Sequence, residues 1–159
     1  QTFRKELKSF LELSIEDHVL DEAWNAMLLD IPAERLQLLG ELQKKKKIFL
    51  LSNTNAIHKE AFDKKLQQHG YSTLDVFFEK AYYSHLVGDR KPNASIFERV
   101  LQENQLNPQT TLFIDDTYQH IAGAKSVGLQ TIHLQAPKTI LDYRDWLMMD
   151  EFCGKELQP

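Results

Sequence analysis

From Lys47 onward, short apolar runs alternate with amphipathic stretches, and this alternation is the feature that most restricts the fold. The apolar runs predict buried strands, and short connections join them to the predicted helices. Helices between strands imply crossovers, which make consecutive strands parallel. The alternation therefore predicts an α/β fold with a doubly wound parallel sheet. The predicted strands span residues 48–51, 80–84, 111–114 and 129–134.

Amphipathic periodicity predicts helices both ahead of the first strand and between the strands. Ser14, three residues before Asp17, resembles a capping box that starts the second helix, and Pro32 suits the first turn of the third. Gly70 and Gly128 are expected to end two of the later helices. The predicted helices span residues 2–13, 14–27, 32–44, 56–69, 94–103, 118–127 and 139–149.

The composition argues against several classes of protein. With 159 residues the chain is long enough for one domain with its own core and a small appendage. The net charge of −4 disfavours a nucleic-acid-binding protein, which usually presents a basic face. No apolar run reaches membrane-spanning length. The single cysteine, Cys153, rules out an internal disulfide and favours a reducing, cytoplasmic compartment.

Polar side chains gather where the predicted strands end. Ser52 and Asn53 follow the first strand, Lys91 precedes a helix, and Asp115 and Asp116 follow the third strand. In a doubly wound sheet, ligands bind beyond the carboxyl ends of the strands, where helix N-termini also point. We therefore expect these side chains to lie at one edge of the sheet.

The adjacent Asp115 and Asp116 predict a site for a divalent cation. A simpler interpretation is that Asp116 caps the next helix, with Gln119 three residues further on, but this explains only one carboxylate. Two carboxylates at ~4–5 Å repel each other by roughly 3–4 kcal/mol at an effective dielectric constant near 20. Mg²⁺ removes that repulsion, since it prefers a few carboxylates together with water and phosphate oxygens. Asp116 is able to do both.

Ser52 and Lys91 are candidates for binding a phosphate group. Taken singly, Ser52 is equally well explained as a helix cap and Lys91 as an exposed loop lysine. Together, a hydroxyl and backbone amides at a helix N-terminus would hold phosphate oxygens, and an ammonium group would neutralise their charge. The order of hydroxyl, lysine and paired acids, each next to a strand end, favours the functional interpretation.

Three segments resemble the second, third and fourth motifs of the haloacid dehalogenase superfamily: "FLLSNT", "GDRKPNASIFERVL" and "LFIDDTYQHIAGAKSVGLQTIHL". The resemblance covers residues 32–134 and is greatest to the branch of sugar-phosphate phosphatases and epoxide hydrolase N-terminal domains. It implies a Rossmann-like core in which Ser52, assisted by Asn53, binds phosphate. It also implies that Lys91 is the lysine of the third motif and that Asp115 and Asp116 are the acids of the fourth motif, which help to hold Mg²⁺.

Other positions also bear on the resemblance. Gly123 and Ala124 match small residues that let the helix lie close to the sheet. His120 stands where many members carry Asn or Asp, and we interpret it as a histidine on a helix face. The first motif of the family, a strand ending in Asp-x-Asp that supplies the nucleophile, has no match before Ser52.

The missing first motif leads us to expect an N-terminally truncated member of the family. Residues 1–31 are expected to be the remnant of a small helical cap. Residues 32–159 are expected to form the core, which lacks its first, nucleophile-bearing strand. The strands at 48–51 and 111–114 should then be neighbours across a gap and should not pair with each other, because the absent strand is central in the family's sheet.

The resemblance implies a Mg²⁺-dependent phosphatase that acts on a small phosphate monoester, such as a sugar phosphate, through an aspartyl-phosphate. A 2-haloacid dehalogenase is an alternative, but carbon–halogen displacement by a carboxylate needs no metal. A phosphoryl mutase and a non-catalytic phosphate-binding or regulatory module also stay open. A response-regulator receiver is disfavoured, because its paired acids come first in the chain and its lysine last. The expected partner is a small phosphorylated metabolite, with neither nucleic acid nor membrane involved.

Overall fold

The computed structural model describes residues 2–149, and it has the α/β architecture expected from the sequence; Cys153 lies outside the described residues. The strands are β1 (Phe49–Ser52), β2 (Lys80–Tyr83), β3 (Leu112–Asp115) and β4 (Gln130–His133). The helices are α1 (Thr2–Phe10), α2 (Asp17–Asn25), α3 (Ala33–Leu42), α4 (Ala56–Gln67), α5 (Ser84–Val87), α6 (Ala94–Glu103), α7 (Tyr118–Ser126) and α8 (Arg144–Leu147). Single 3₁₀ turns occupy Leu74–Phe77, Pro108–Thr110 and Ile140–Tyr143.

The strands form two parallel pairs. In the first sheet half, β1 pairs with β2 so that Ser52 lies opposite Tyr83. In the second sheet half, β3 pairs with β4 so that Asp115 lies opposite His133. Over residues 2–149, no strand pairing joins β1 to β3. The direct pairing that would have contradicted a gap between these strands is therefore not made.

The two strands that bear candidate site residues each begin and end one residue later than predicted. Ser52 is the last residue of β1, and Asp115 is the last residue of β3. Their backbones are therefore held by the ladder to the neighbouring strand. Because a strand has less conformational freedom than a loop, both side chains start from a fixed position.

Alternate residues of β3 face opposite helical layers, which is why the strand reads as a continuous apolar run. Phe113 packs on one side against the core around α6 and α7, and its ring meets the edge of Phe97 at 5.1 Å between centroids. Leu112 and Ile114 pack on the other side with Leu38 of α3 and residues of α8. Helices on both faces of a parallel sheet are the doubly wound arrangement that the sequence predicted.

The start of α2 differs from the prediction. The helix begins at Asp17 with Glu16 at the N-cap position, and no side chain caps it. The capping box predicted from Ser14 and Asp17 is therefore wrong. The physical reason is that the carboxylate of Asp17 accepts a hydrogen bond from Lys8 Nζ at 2.6 Å instead.

The first two helices pack on the core through α4. Arg4 of α1 donates two hydrogen bonds to Asp21 of α2, at 2.7 and 2.8 Å, and thereby holds these helices together. The backbone carbonyl of Trp24 in α2 then lies 3.3 Å from Nε2 of His58 in α4. Among the described residues, no helix has both the length and the apolar character needed to cross a bilayer.

Candidate functional site

The carboxyl ends of β1 and β3 are joined by side chains around the loop that precedes α6. Lys91 Nζ donates a hydrogen bond to Asp115 Oδ2 at 2.6 Å. The side chain of Asn53 binds the backbone of Lys91 twice, since its Oδ1 accepts from the Lys91 N–H at 3.0 Å and its Nδ2 donates to the Lys91 carbonyl at 2.9 Å. Three of the predicted site residues therefore meet, although they lie far apart in the sequence.

Lys91 is a buried cation. Only 8% of the residue is exposed, and its ammonium group lies 5.5 Å from the centroid of the Phe113 ring. A buried lysine is uncommon unless it is paired, and the ion pair with Asp115 supplies the compensation. Among the described residues, Asp115 is the one hydrogen-bond partner of Nζ, and an ammonium group has three donors. The remaining donors suit an anion such as phosphate.

Asp115 is held by donors on both oxygens. Its Oδ1 accepts the Thr117 N–H at 2.8 Å and His120 Nδ1 at 2.9 Å, and its Oδ2 accepts from Lys91. Burial opposes ionisation, but the hydrogen bonds from Lys91, Thr117 and His120 more than offset it, so that the pKa of Asp115 lies below its ordinary value of 3.8. Asp115 is consequently an anion at neutral pH, with a fixed orientation.

Asp116 is exposed, in contrast to its neighbour. Among the described residues its carboxylate accepts one hydrogen bond, from Thr117 Oγ1 at 3.2 Å. The interpretation of Asp116 as a helix cap is wrong, because Thr117 occupies the N-cap position of α7 and makes no side-chain cap. The backbone carbonyl of Asp116 lies 3.0 Å from His133 Nε2, which fixes the backbone and leaves the carboxylate free to bind a cation.

Ser52 is half-buried and lies directly ahead of the loop that starts α4. That loop is held in place by Ser84 of α5, whose hydroxyl accepts from the Thr54 N–H at 3.0 Å and donates to the Thr54 carbonyl at 2.8 Å. Asn55 then caps α4 by accepting the His58 N–H at 3.0 Å. Ser52 therefore precedes, by three residues, the N-cap of a helix of three turns, whose positive end favours an anion.

His120 belongs to this cluster, a contact that its interpretation as a histidine on a helix face did not predict. Its side chain is 17% exposed and contacts Asp115 through Nδ1. Its other ring nitrogen, Nε2, lies 3.5 Å from Asn53 Nδ2. A signal for this position was present in the sequence: side chains in the first turn of a helix lean back over its N-terminus, which here is the tip of β3.

The paired acids fit part of the coordination of a magnesium ion. The described residues contain no group of three or more His, Cys, Asp or Glu side chains that would enclose a metal. Asp115 and Asp116 nevertheless offer carboxylate oxygens, and the carboxylate of Asp116 is open to solvent. Mg²⁺ commonly takes one or two carboxylates and completes its shell with water and phosphate oxygens. The donor set therefore suits a cation that is shared with a bound ligand.

Comparison with known proteins gives a consistent result. The model of the haloacid dehalogenase-like hydrolase family matches residues 2–128. D-ribitol-5-phosphate phosphatase from Bacteroides thetaiotaomicron is 29% identical over 148 residues, which are 91% of this chain and 69% of that protein. Glyceraldehyde 3-phosphate phosphatase from Pyrococcus furiosus is 32% identical over 77 residues, 46% of this chain and 32% of that protein.

Solved structures of the same family superpose closely. A haloacid dehalogenase family enzyme from Bacteroides thetaiotaomicron, in complex with magnesium and inorganic phosphate, has a TM-score of 0.80 and 32% identity, and the match covers 87% of this chain and 70% of that one. A hydrolase of the same family from Porphyromonas gingivalis has a TM-score of 0.83 and 31% identity, with 92% and 72% coverage.

Proposed function

The chain belongs to the haloacid dehalogenase-like hydrolases, and from this membership we infer that it is a Mg²⁺-dependent phosphatase of a small phosphorylated metabolite. The observation that carries the proposal is the buried ion pair of Lys91 and Asp115 at the strand ends, close to the exposed carboxylate of Asp116. Relatives named as ribitol-phosphate and glyceraldehyde-phosphate phosphatases support a small polyol or sugar phosphate as the substrate. The cytoplasmic location stays a prediction.

Each site residue has a role in this proposal. Lys91 contributes an ammonium group whose free donors bind and neutralise phosphate oxygens, and Ser52 contributes a hydroxyl at the N-terminus of α4. Asn53 holds the backbone of Lys91 and thereby fixes the position from which the lysine side chain extends. Asp115 and Asp116 would hold Mg²⁺, which when bound adds positive charge where the phosphoryl group becomes more negative.

The nucleophile is proposed to be an aspartate at the end of a further strand between β1 and β3, in a core formed by residues 32–159, with residues 1–31 as part of the cap. This aspartate would attack phosphorus, and water would then cleave the aspartyl-phosphate. Partial exposure of every residue in the apolar strands β1 and β3 supports such a strand, since β2 and β4 contain fully buried residues. Central strands of a parallel sheet are normally buried.

The proposal is tested by measuring orthophosphate release from D-ribitol 5-phosphate and glyceraldehyde 3-phosphate, with Mg²⁺ and with a chelator. Both the product of the full reading frame of the gene and the 159-residue chain are assayed. We expect turnover only with Mg²⁺ and only where an Asp-x-Asp strand is present. The exchange Asp116→Asn should lower kcat/KM about 100-fold, since it removes an exposed cation ligand.

Two results would contradict the phosphatase. Metal-independent release of halide from a 2-haloacid would identify a dehalogenase and remove the role given to Asp115 and Asp116. Binding of orthophosphate without turnover of any ester, in the product of the full reading frame, would instead identify a non-catalytic phosphate-binding module. Glu98→Gln, on the surface of α6, is a matched loss of a carboxylate and should leave the rate unchanged.

A further inference from the structure

We propose that His120 is a positioning residue that links the two sheet halves at the site, because its ring touches a side chain from each. Its Nδ1 lies 2.9 Å from Asp115 Oδ1, at the tip of β3. Its Nε2 lies 3.5 Å from the side-chain amide of Asn53, just after β1. The expected effect on catalysis rests on the proposed function, whereas the contacts themselves can be tested separately.

The contacts determine which ring nitrogen carries the proton. A carboxylate only accepts hydrogen bonds, so Nδ1 is the donor to Asp115. In the neutral ring, Nε2 is then an acceptor, and it faces the amide group of Asn53, which donates. His120 therefore presents a donor to one sheet half and an acceptor to the other.

Four residues thereby form a closed contact ring: Asp115 binds Lys91, the backbone of Lys91 binds Asn53, Asn53 faces His120, and His120 binds Asp115. Within the described part of the chain, β1 and β3 are not joined by backbone pairing. Besides the packing of both strands against the core around α6, side-chain contacts at the tips therefore link the proposed phosphate-binding and cation-binding groups in the described part of the chain. His120 closes the ring on the side opposite Lys91.

His120 also determines which way the carboxylate of Asp115 faces. Together with the Thr117 N–H, its Nδ1 occupies both lone pairs of Oδ1, so the carboxylate is held against rotation. Oδ2 is then directed at Lys91. Removal of the imidazole leaves Oδ1 with one donor. The carboxylate of Asp115 can then rotate, and it no longer holds the ammonium group of Lys91 in one position.

Three substitutions separate the two contacts. In His120→Asn, the side-chain Nδ2 takes the place of Nδ1 and keeps the donor to Asp115. In His120→Gln, the amide reaches the position of Nε2 and loses that donor, and His120→Ala removes both contacts. Because each contact contributes to the link, we expect kcat/KM to fall about 10–100-fold in the Ala variant, mainly through kcat, and by a smaller factor in the Asn and Gln variants, each of which keeps one contact.

His69→Asn is the matched control. It lies after α4, at the end of that helix opposite to the site, and its exchange should not change kcat or KM. Equal losses in all three His120 variants would show that the residue only fills space, and unchanged kinetics in His120→Ala would show that the ring does not position the site. Either result overturns the proposal.

Imidazole ¹⁵N NMR in mildly alkaline buffer tests the contacts without any turnover. We expect the His120 signal of a ring protonated at Nδ1, with that proton shifted by its bond to Asp115; a ring protonated at Nε2 would overturn the proposal. If the wild type shows the expected signal but hydrolyses no phosphate ester, the phosphatase assignment fails and the contact ring stands. If the wild type is active and the His120 variants match it, the phosphatase assignment stands and the positioning role of His120 fails.

Discussion

At the scale of single residues, the site depends on a charge that the fold has removed from water. The side chain of Asp115 is 8% exposed and that of Lys91 is 10% exposed, so that neither charge is hydrated in the ordinary way. Each is stable only because the other is present, since an isolated buried charge costs several kcal/mol. The ammonium group is thereby held where an anionic ligand would meet it.

We therefore expect Lys91→Met to destabilise the protein in a pH-dependent manner. At neutral pH it leaves a buried carboxylate without its cation, which costs about 3–5 kcal/mol. In the wild type the lowered pKa of Asp115 adds stability at pH values above 3.8, and this stability is lost as the pH falls through the lower pKa of the folded state. In the variant, burial still raises the pKa of Asp115, and only the hydrogen bonds from Thr117 and His120 are left to lower it, so the difference from the wild type should shrink on acidification.

Urea unfolding of the wild type and of Lys91→Met at several pH values measures this difference. The double variant Lys91→Met, Asp115→Asn is the control, because it removes both charges together, and it should be more stable than Lys91→Met at neutral pH. A loss in Lys91→Met that is the same at every pH would mean that packing of the lysine stem, and not the buried charge, explains the effect.

The sequence allowed some of these residues to be predicted, and the reason is chemical. Taken singly, Ser52 and Lys91 have ordinary structural explanations, and it is the order of hydroxyl, lysine and paired acids that singles them out together with Asp115 and Asp116. The place of His120 in the first turn of α7 indicates that it is near the tip of β3, but no local pattern indicates its contact with Asn53. Its significance comes from Asn53, which is 67 positions away in the chain. Contacts of that range leave no periodic signal.

At the scale of elements, the packing of α7 is closest at Gly123. A Cβ atom at this position would lie 2.4 Å from the Pro92 carbonyl oxygen and 3.0 Å from Phe97 Cε2. The family resemblance implied that the small residues Gly123 and Ala124 let this helix lie close to the sheet. The close neighbours of Gly123 are instead the loop that carries Lys91 and the side of α6, while Ala124 is fully buried.

We expect Gly123→Ala to lower the free energy of unfolding by about 1–3 kcal/mol or more, because a backbone carbonyl cannot move aside as a flexible side chain does. The matched control is Gly40→Ala in α3, where the added Cβ would meet only Phe77 Cε1, at an ordinary 3.9 Å. That substitution should stabilise the protein by about 0.5–1 kcal/mol, since alanine favours the helix. Chemical denaturation measures the free energy of unfolding of both variants. Equal effects at the two positions would contradict the close approach of α7 to the loop that carries Lys91.

Most elements were predictable because their signals are local. Period-3.6 and strand-like patterns gave the bounds of α6 exactly as observed, and those of β2 and α4 to within two residues. The 3₁₀ turn at Leu74–Phe77 and the short helix α5 carry no such pattern and were not predicted. The start of α2 was mispredicted because Asp17 binds a lysine from the preceding helix, a tertiary contact that overrides the local preference.

At the scale of the whole molecule, the described structure is two parallel strand pairs connected at their tips by the contact ring. The sequence predicted the parallel direction of the strands, because crossover helices enforce it. It could not show which strands are hydrogen-bonded, since pairing depends on backbone groups that every residue shares. The half-exposed apolar residues of β1 and β3 indicate where the sheet is open.

Hydrogen exchange should reveal those open edges. In the 159-residue chain, amides of β1 and β3 that point away from β2 and β4 should exchange as fast as loop amides, because no unfolding is needed to expose them. In the product of the full reading frame, the proposed strand between β1 and β3 should slow the same amides by tenfold or more, on the order of a local opening free energy of ~1.4 kcal/mol. Amides around Leu66 of α4 are the internal control, since Leu66 packs with Leu36 and Phe77 in a cluster that contains no residue of β1 or β3, and they should exchange equally in both proteins. Equal exchange of the β1 and β3 amides in the two proteins would show that no further strand pairs with them and would leave the proposed nucleophile without a strand to carry it.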